Sequence, residues 1–213
     1  MTKKEIAIEK MKAFVTGQIT IENFWEEVST NKAIQEILVA EGKESRGSPL
    51  HMASIESLLK FKGDFIKTLN GAAAVSFLVA HYFVSRGESV QIDPIHNRRY
   101  RFFMEIQPEW IVVDGDLDGE NFIIENVLKK VPSHVKTHKQ AVKWGKEEVL
   151  RHFRYDKVPP RWIYLKPPQW PIVNGKPLVF KRQSELASGA TVVHFYFYCP
   201  DTGKETVVTQ TIN

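Results

Sequence analysis

The chain has few of the residues from which disulfides, metal sites and membrane spans are built. Its 213 residues include one cysteine, Cys199, which excludes an internal disulfide and every zinc site that needs paired cysteines. This scarcity is typical of a reducing compartment, and we expect a cytoplasmic protein. The longest apolar run, residues 71–84, is too short to cross a bilayer. We therefore expect no membrane-spanning helix and no membrane partner.

The sequence motifs of common enzymes are also missing. No G-x-S-x-G, P-loop, G-x-G-x-x-G or H-E-x-x-H pattern occurs, so we predict no catalytic residue, no resident metal and no cofactor. The seven histidines are scattered along the chain. His81 interrupts the apolar run 71–84, where a histidine more often forms a hydrogen bond inside a core than acts on a substrate. The alternative is an enzyme of unknown type with an acid–base pocket near His81.

One pattern does match a metal site. Asp114, Asp116 and Asp118, followed by a glycine and by Glu125, have the spacing of the calcium-binding loop of an EF-hand. The surroundings favour a different role, because the eighth loop position is an asparagine rather than an apolar residue and no second loop exists to pair with this one. We expect an acidic turn at the start of a helix over 119–130, with Asp118 accepting backbone N–H bonds and Glu125 pointing to solvent.

Apolar residues recur at helical spacing through the first two-thirds of the chain. Gly17 ends the first predicted helix, and Thr20 and Asn31 begin the next two. The segment 65–84 is apolar on nearly all sides, as in a helix at the centre of a bundle. The other predicted elements are a charged loop over 41–47, a helix through 55–61 after a start signal at Ser48-Pro49, helices over 97–108 and 119–130, and a helix from the Thr137–Gln140 capping box to residue 155.

Strand signals are confined to the last quarter of the chain. Asn174-Gly175 lies between two short apolar runs, 170–173 and 178–181, which is typical of a β-hairpin. Residues 191–199 alternate between two faces, and 205–212 form the returning strand.

Taken together, these patterns predict an α+β protein. A mainly helical part, residues 1–157, comes first, and a small antiparallel β-sheet lies in residues 158–213. The two parts are either separate or one continuous domain. At this length the chain can bury a substantial core in either arrangement.

Residues 158–172 join the two parts and carry five prolines and two tryptophans. Proline fixes φ and removes a backbone donor, so the segment is predicted to be an extended connector. Its tryptophans would most simply pin the connector to the core. The alternative is a recognition surface, because Trp, Tyr and Arg dominate interface hot spots. The predicted partner-binding residues are Arg161, Trp162, Tyr164 and Trp170, with Tyr196 and Tyr198 on the outer face of the sheet.

Positive charge is concentrated in one block of the sequence. Residues 129–166 carry eleven basic and three acidic side chains, a net charge of +8, whereas residues 1–128 carry fourteen basic and nineteen acidic side chains, a net charge of −5. Such a block is most often a solvated helix face. The alternative function that it supports is nucleic-acid binding through phosphate contacts.

Several short runs carry a resemblance to known proteins. They are YRFF at 100–103, QPEW at 107–110, PPRWI at 159–163, PQWPI at 168–172 and NGKP at 174–177. Over residues 97–183 the chain resembles a group of uncharacterised bacterial proteins, which are similar to the small immunity proteins encoded beside secreted polymorphic toxins. The resemblance implies a non-enzymatic intracellular binding protein whose partner is another protein, such as a toxin domain. It brings no catalytic residues with it.

Overall fold

The computed structural model describes residues 1–44, 68–111, 116–162, 169–184 and 192–211. Within these ranges, seven α-helices precede a small antiparallel sheet, which confirms the predicted α+β class. The predicted helix at 55–61 and its start at Ser48 lie outside the described residues. Among the helices that are described, none is both long and apolar enough to span a membrane.

The chain divides into two compact units, Met1–Arg101 and Phe102–Asn213. The division falls within a helix, Ile95–Ile106, rather than in a linker. The sequence suggested a different division, at residue 157, where the helical part is followed by the connector and the sheet. That division stays a prediction.

The first unit is helical. Its helices are α1 (Lys3–Val15), α2 (Ile21–Thr30), α3 (Lys32–Glu44), α4 (Leu69–Val84) and the beginning of α5 (Ile95–Ile106). Threonine side chains accept backbone N–H bonds at the starts of α1, α2 and α4, and the predicted stop at Gly17 has a φ of 77°. The fully buried core residues come from four helices and include Ala7, Met11, Phe24, Val28, Ile34, Val79 and Phe83.

Helix α4 has the central position that its sequence predicts. Eleven of its sixteen residues are buried. The predicted loop over 41–47 is wrong for its first four residues, because α3 continues to Glu44. The physical reason is that Glu41, which reads as a loop residue, is buried and bonded to side chains of the α4 C-terminal region.

The second unit combines helices with the sheet. Its further elements are α6 (Leu117–Asn126), a 3₁₀ helix (Leu128–Lys130), α7 (His138–His152), a two-stranded hairpin of β1 (Ile172–Val173) and β2 (Lys176–Pro177), and a sheet of β3 (Val179–Gln183), β4 (Val192–Tyr198) and β5 (Glu205–Thr211). The sheet order is β3-β4-β5, and both pairings are antiparallel. The predicted capping box at Thr137 and Gln140 and the predicted turn at Asn174-Gly175 are confirmed.

The bounds of three predicted helices are wrong by a few residues. The helix predicted over 97–108 spans Ile95–Ile106. The helix predicted over 119–130 begins at Leu117 and gives way to the 3₁₀ helix after Asn126. The helix predicted to reach residue 155 ends at His152. Beyond it the backbone is bonded to β3 instead, since Phe180 donates its N–H to the carbonyl of Arg154 and Asp156 donates to that of Phe180.

Candidate functional site

The sheet of the second unit has one buried face and one open face. Along β4, Val193, Phe195 and Phe197 are fully buried, while the residues between them are only half-buried. This is the alternation that the sequence predicts for a strand with one face on the core. The half-buried set therefore lies on the opposite, open face.

We call the open face the outer sheet face and define it by side chains that the strand register aligns across β3, β4 and β5. They are Arg182, His194, Tyr196, Tyr198, Val207 and Thr209. Tyr196 is its centre, because it pairs with Arg182 on one side and with Val207 on the other. The guanidinium carbon of Arg182 lies 3.7 Å from the centroid of the Tyr196 ring, and Val207 is 49% exposed. An aromatic ring, a stacked arginine and an exposed aliphatic side chain thus form one row across the sheet.

Hydrogen bonds fix the two ends of the outer sheet face. The hydroxyl of Tyr198 donates to Oδ1 of Asp156 at 2.9 Å, and this bond is the main reason that the pKa of Tyr198 is raised. At the other end, Nδ1 of His194 lies 3.1 Å from Oγ1 of Thr209. The side chains on either side of Tyr196 are therefore held in defined orientations.

The tryptophans of the connector lie beneath this surface rather than on it. Trp162 is 9% exposed and Trp170 is 2% exposed. The indole N–H of Trp162 donates to the carbonyl of Trp110, and that of Trp170 donates to the carbonyl of Leu178 at 2.8 Å. Their rings pack against Phe195 and Phe197. This burial favours the structural role, in which the tryptophans pin the connector to the core, over the alternative of a recognition surface.

The other predicted partner-binding residues divide into two groups. Tyr196 and Tyr198 lie together on the outer sheet face. The side chain of Arg161 is exposed, and its backbone N–H donates to Oε1 of Gln183 at the end of β3, beside Arg182. Tyr164 lies outside the described residues. Sequence reasoning missed Arg182, because the predicted strand 178–181 ended one residue before it, whereas β3 continues to Gln183.

A second cluster of interacting side chains lies in the first unit. Glu41 of α3 is 1% exposed at its side chain, and its Oε1 lies 2.5 Å from Nδ1 of His81 on α4. Its Oε2 accepts a hydrogen bond from Arg86 at 2.9 Å. The guanidinium of Arg86 also stacks on the ring of Tyr82, 3.9 Å from the centroid. We call Glu41, His81 and Arg86 the carboxylate cluster.

The position of His81 differs from the expected core histidine, because its side chain is 35% exposed. A carboxylate at Nδ1 fixes the ring and assigns the donor role to that nitrogen, which leaves Nε2 as the acceptor in a neutral imidazole. This is the chemistry of an oriented base. Sequence reasoning missed Glu41, because it precedes His81 by forty residues and belongs to a charged run.

The residues of the calcium pattern take other roles. Asp114 lies outside the described residues. Asp116 is at the N-cap of α6 and accepts the backbone N–H of Trp170 at 3.3 Å. Burial raises the pKa of Asp116, an effect that the backbone N–H donors oppose. The predicted position of Asp118 at the start of the helix is wrong, because α6 begins at Leu117 and Asp118 is exposed within its first turn. Glu125 is exposed and paired with Lys129 at 2.5 Å. Within the described ranges, no group of three His, Cys, Asp or Glu side chains could hold a metal ion.

Comparison with protein-family models, with curated proteins and with solved structures finds no match to this chain in any of the three.

Proposed function

We propose that this chain is a non-enzymatic binding protein of the bacterial cytoplasm that docks a protein partner on the outer sheet face. The observation that carries the proposal is the row formed by Arg182, Tyr196 and Val207. Tyrosine and arginine are enriched among interface hot spots, and a cation stacked on a ring is already held in its bound geometry. The exposed side chain of Val207 adds apolar area to the same row.

The partner that fits this surface presents carboxylates beside apolar side chains. Arg182 lies at the β3 side of the outer sheet face, whereas the carboxylate of Asp156 already accepts the Tyr198 hydroxyl. The resemblance to immunity proteins narrows the proposal to a toxin domain, which the protein would neutralise by covering its active site. In this mechanism a rigid surface excludes substrate, and no side chain of this protein takes part in chemistry.

The test uses the product of the gene immediately upstream. We expect that gene to encode a toxin domain, and we expect the purified protein to bind it and abolish its activity. Arg182→Ala combined with Tyr196→Ala should weaken binding by at least about 100-fold, because each hot-spot truncation costs about 2 kcal/mol or more. Titration calorimetry measures the affinity, and a toxicity assay measures protection.

The matched control is Arg98→Ala, which removes an exposed arginine from the first unit. This variant should bind and protect as the wild type does. Circular dichroism shows whether each variant keeps the native fold. An operon of metabolic enzymes, or a double variant that is folded and binds with unchanged affinity, would contradict the proposal.

A second candidate function is acid–base catalysis at His81, and the observation that favours it is the Glu41 carboxylate at Nδ1. An oriented imidazole with Nε2 at the surface can accept a proton from an attacking water. The measurement is hydrolysis of chromogenic esters and phosphate esters by the wild type and by His81→Gln. Activity that disappears in His81→Gln but persists in His134→Gln, an exposed histidine, would support it. Equal rates in all three proteins would exclude hydrolysis of these substrates by His81.

A further inference from the structure

Helix α7 carries a straight row of lysines. Lys139, Lys143 and Lys146 are separated by four and then three residues, so their side chains project from the same side of the helix. All three are exposed. We call these residues the lysine row. Lys136 precedes it at the helix start, and Arg154 follows the helix end.

The lysine row flanks the buried side of α7, and its nearest approach to that side is Lys146, about 60° from Val149 around the helix axis. The buried positions of α7 are Gly145 and Val149, and Phe153 continues this side beyond the last turn. At 100° per residue, Lys146 and Gly145 lie about 100° apart on the helix, and Lys139 and Val149 about 80° apart. The amphipathic pattern of the helix thus orients the row toward solvent.

Most of the basic side chains of this region form no ion pair among the described residues. All ten basic side chains described between residues 129 and 162 are exposed. Two of them form ion pairs, Lys129 with Glu125 and Arg151 with Glu148. In the part of the chain that the structure describes, no ion pair involves Lys139, Lys143 or Lys146.

We propose that the lysine row binds the phosphate backbone of double-stranded nucleic acid. Protein–protein interfaces are depleted in lysine and enriched in aromatic residues, so a row of three lysines is a poor protein-binding surface. Phosphate contacts need only positive charge at the surface, and they carry no sequence information.

The residues of α7 also favour double-stranded nucleic acid over single strands and over anionic membranes. Single-stranded nucleic acid is bound through aromatic rings on which bases stack. The tryptophan of α7, Trp144, is half-buried and lies about 100° or more around the helix axis from each lysine of the row. A membrane-binding helix inserts an apolar stripe, whereas the only exposed large hydrophobic side chain of α7 in the described structure is Leu150. The lysine row lies on a different element from the outer sheet face, so this proposal does not depend on the proposed protein partner.

The test is a fluorescence-anisotropy titration of a duplex of about 20 base pairs, longer than the roughly 22 Å that α7 spans. Two duplexes of unrelated sequence should bind equally. We compare the wild type with the triple variant Lys139→Gln, Lys143→Gln and Lys146→Gln. A plot of log affinity against log salt has a negative slope, and each lost phosphate contact reduces its magnitude by about 0.9. The slope of the triple variant should therefore be smaller in magnitude than that of the wild type by about 2.7. Between about 50 and about 200 mM salt, the wild type should therefore lose about 40-fold more affinity than the triple variant.

The control variant changes three exposed lysines of α1, Lys3, Lys4 and Lys12, to glutamine, which gives the same change in net charge. It should keep the wild-type slope. Equal slopes for the two triple variants, or no duplex binding by the wild type at low salt, would overturn the proposal. Vesicles that contain anionic lipid are the third arm. The proposal would also be overturned if the protein bound these vesicles more tightly than the duplex and the triple variant of the lysine row lost that binding.

Discussion

Among single residues, Glu41 has a burial that the sequence does not predict. Its neighbours in the chain are charged, which is typical of a loop, and nothing local marks it as buried. Its burial follows from three groups on α4 and the turn after it, because His81, Ser85 and Arg86 all direct hydrogen-bond donors at its carboxylate. A buried carboxylate is stable only when such donors surround it.

Replacing Glu41 tests this dependence. Glu41→Gln should lower the free energy of unfolding by about 1.5–3 kcal/mol, the contribution of hydrogen bonds to a charged group. The control is Glu27→Gln, which removes a partly exposed ion pair with Lys10 and should cost about 0–1 kcal/mol. Urea unfolding of both variants measures the difference. Equal losses would mean that the carboxylate cluster does not stabilise the first unit.

His152 gives the chain a predictable response to acid. Burial lowers the pKa of His152 from its ordinary value of 6.5, and the edge of the Phe122 ring packs against the imidazole at 5.0 Å. The unfolded chain therefore binds this proton at a higher pH than the folded chain does. The contribution of neutral His152 to stability is complete above the unfolded pKa and is lost as the pH falls below it.

The corresponding experiment compares stability near neutral pH with stability near pH 5. Between these conditions the wild type should lose more free energy of unfolding than His152→Gln does. His134→Gln, which changes an exposed histidine, should follow the wild type. Parallel pH profiles for the wild type and His152→Gln would show that the pKa of His152 is the same in the folded and the unfolded chain.

At the scale of elements, periodicity and capping predicted most of the helices. Thr20, the Thr137–Gln140 box and the turn at Asn174-Gly175 all occur where the sequence indicates, because each is a local interaction between residues near in the chain. Helix ends were less predictable. The end of α7 is set by the distant strand β3, and no local signal at His152 reports that competition.

The role of Gly145 in α7 depends on a side chain of the neighbouring helix α5. A Cβ atom at this position would lie 2.6 Å from Cγ2 of Ile106, which is fully buried at the end of α5. Glycine therefore permits close approach of the two helices, at a cost of about 1 kcal/mol in helix propensity relative to alanine.

The expected result is that Gly145→Ala destabilises the protein even though alanine is the better helix former. Overpacking costs about 1–3 kcal/mol, which exceeds the gain in propensity or nearly cancels it. The double variant Gly145→Ala with Ile106→Leu removes the Cγ2 methyl group from the Cβ atom of residue 106 and should recover stability relative to Gly145→Ala. Chemical unfolding of both measures the effect. A clear increase in stability for Gly145→Ala alone would contradict the close-packing argument.

For the whole molecule, the division into two units was not readable from the sequence. Linkers are usually recognised by glycine, proline or serine, but the division at Arg101 falls inside α5. The outer sheet face was partly predictable, because the alternation in β4 placed Tyr196 and Tyr198 on one side. The position of Arg182 on this face depends on the strand register and on the irregularity between Phe180 and Arg182. Both are defined only by the pairing of β3 with β4.

Calcium should leave the stability of the whole molecule unchanged. The carboxylate of Asp116 accepts the backbone N–H of Trp170, and that of Glu125 is paired with Lys129. A ligand stabilises a protein only if it binds the folded state, so a thermal melt with millimolar calcium should match one with chelator. An increase in melting temperature that magnesium does not reproduce, and that Glu125→Gln abolishes, would contradict this expectation.

The packing of the tryptophans has a spectroscopic consequence. Four of the five indoles, those of Trp110, Trp144, Trp162 and Trp170, belong to the second unit, and only Trp25 belongs to the first. The Trp162 and Trp170 rings lie 6.3 Å apart within the aromatic core. Intrinsic fluorescence therefore reports chiefly on residues 102–213, whereas far-ultraviolet dichroism reports on helices of both units. Coincident melting curves from the two signals would mean that the chain unfolds in one cooperative step, and separated curves that its halves unfold independently.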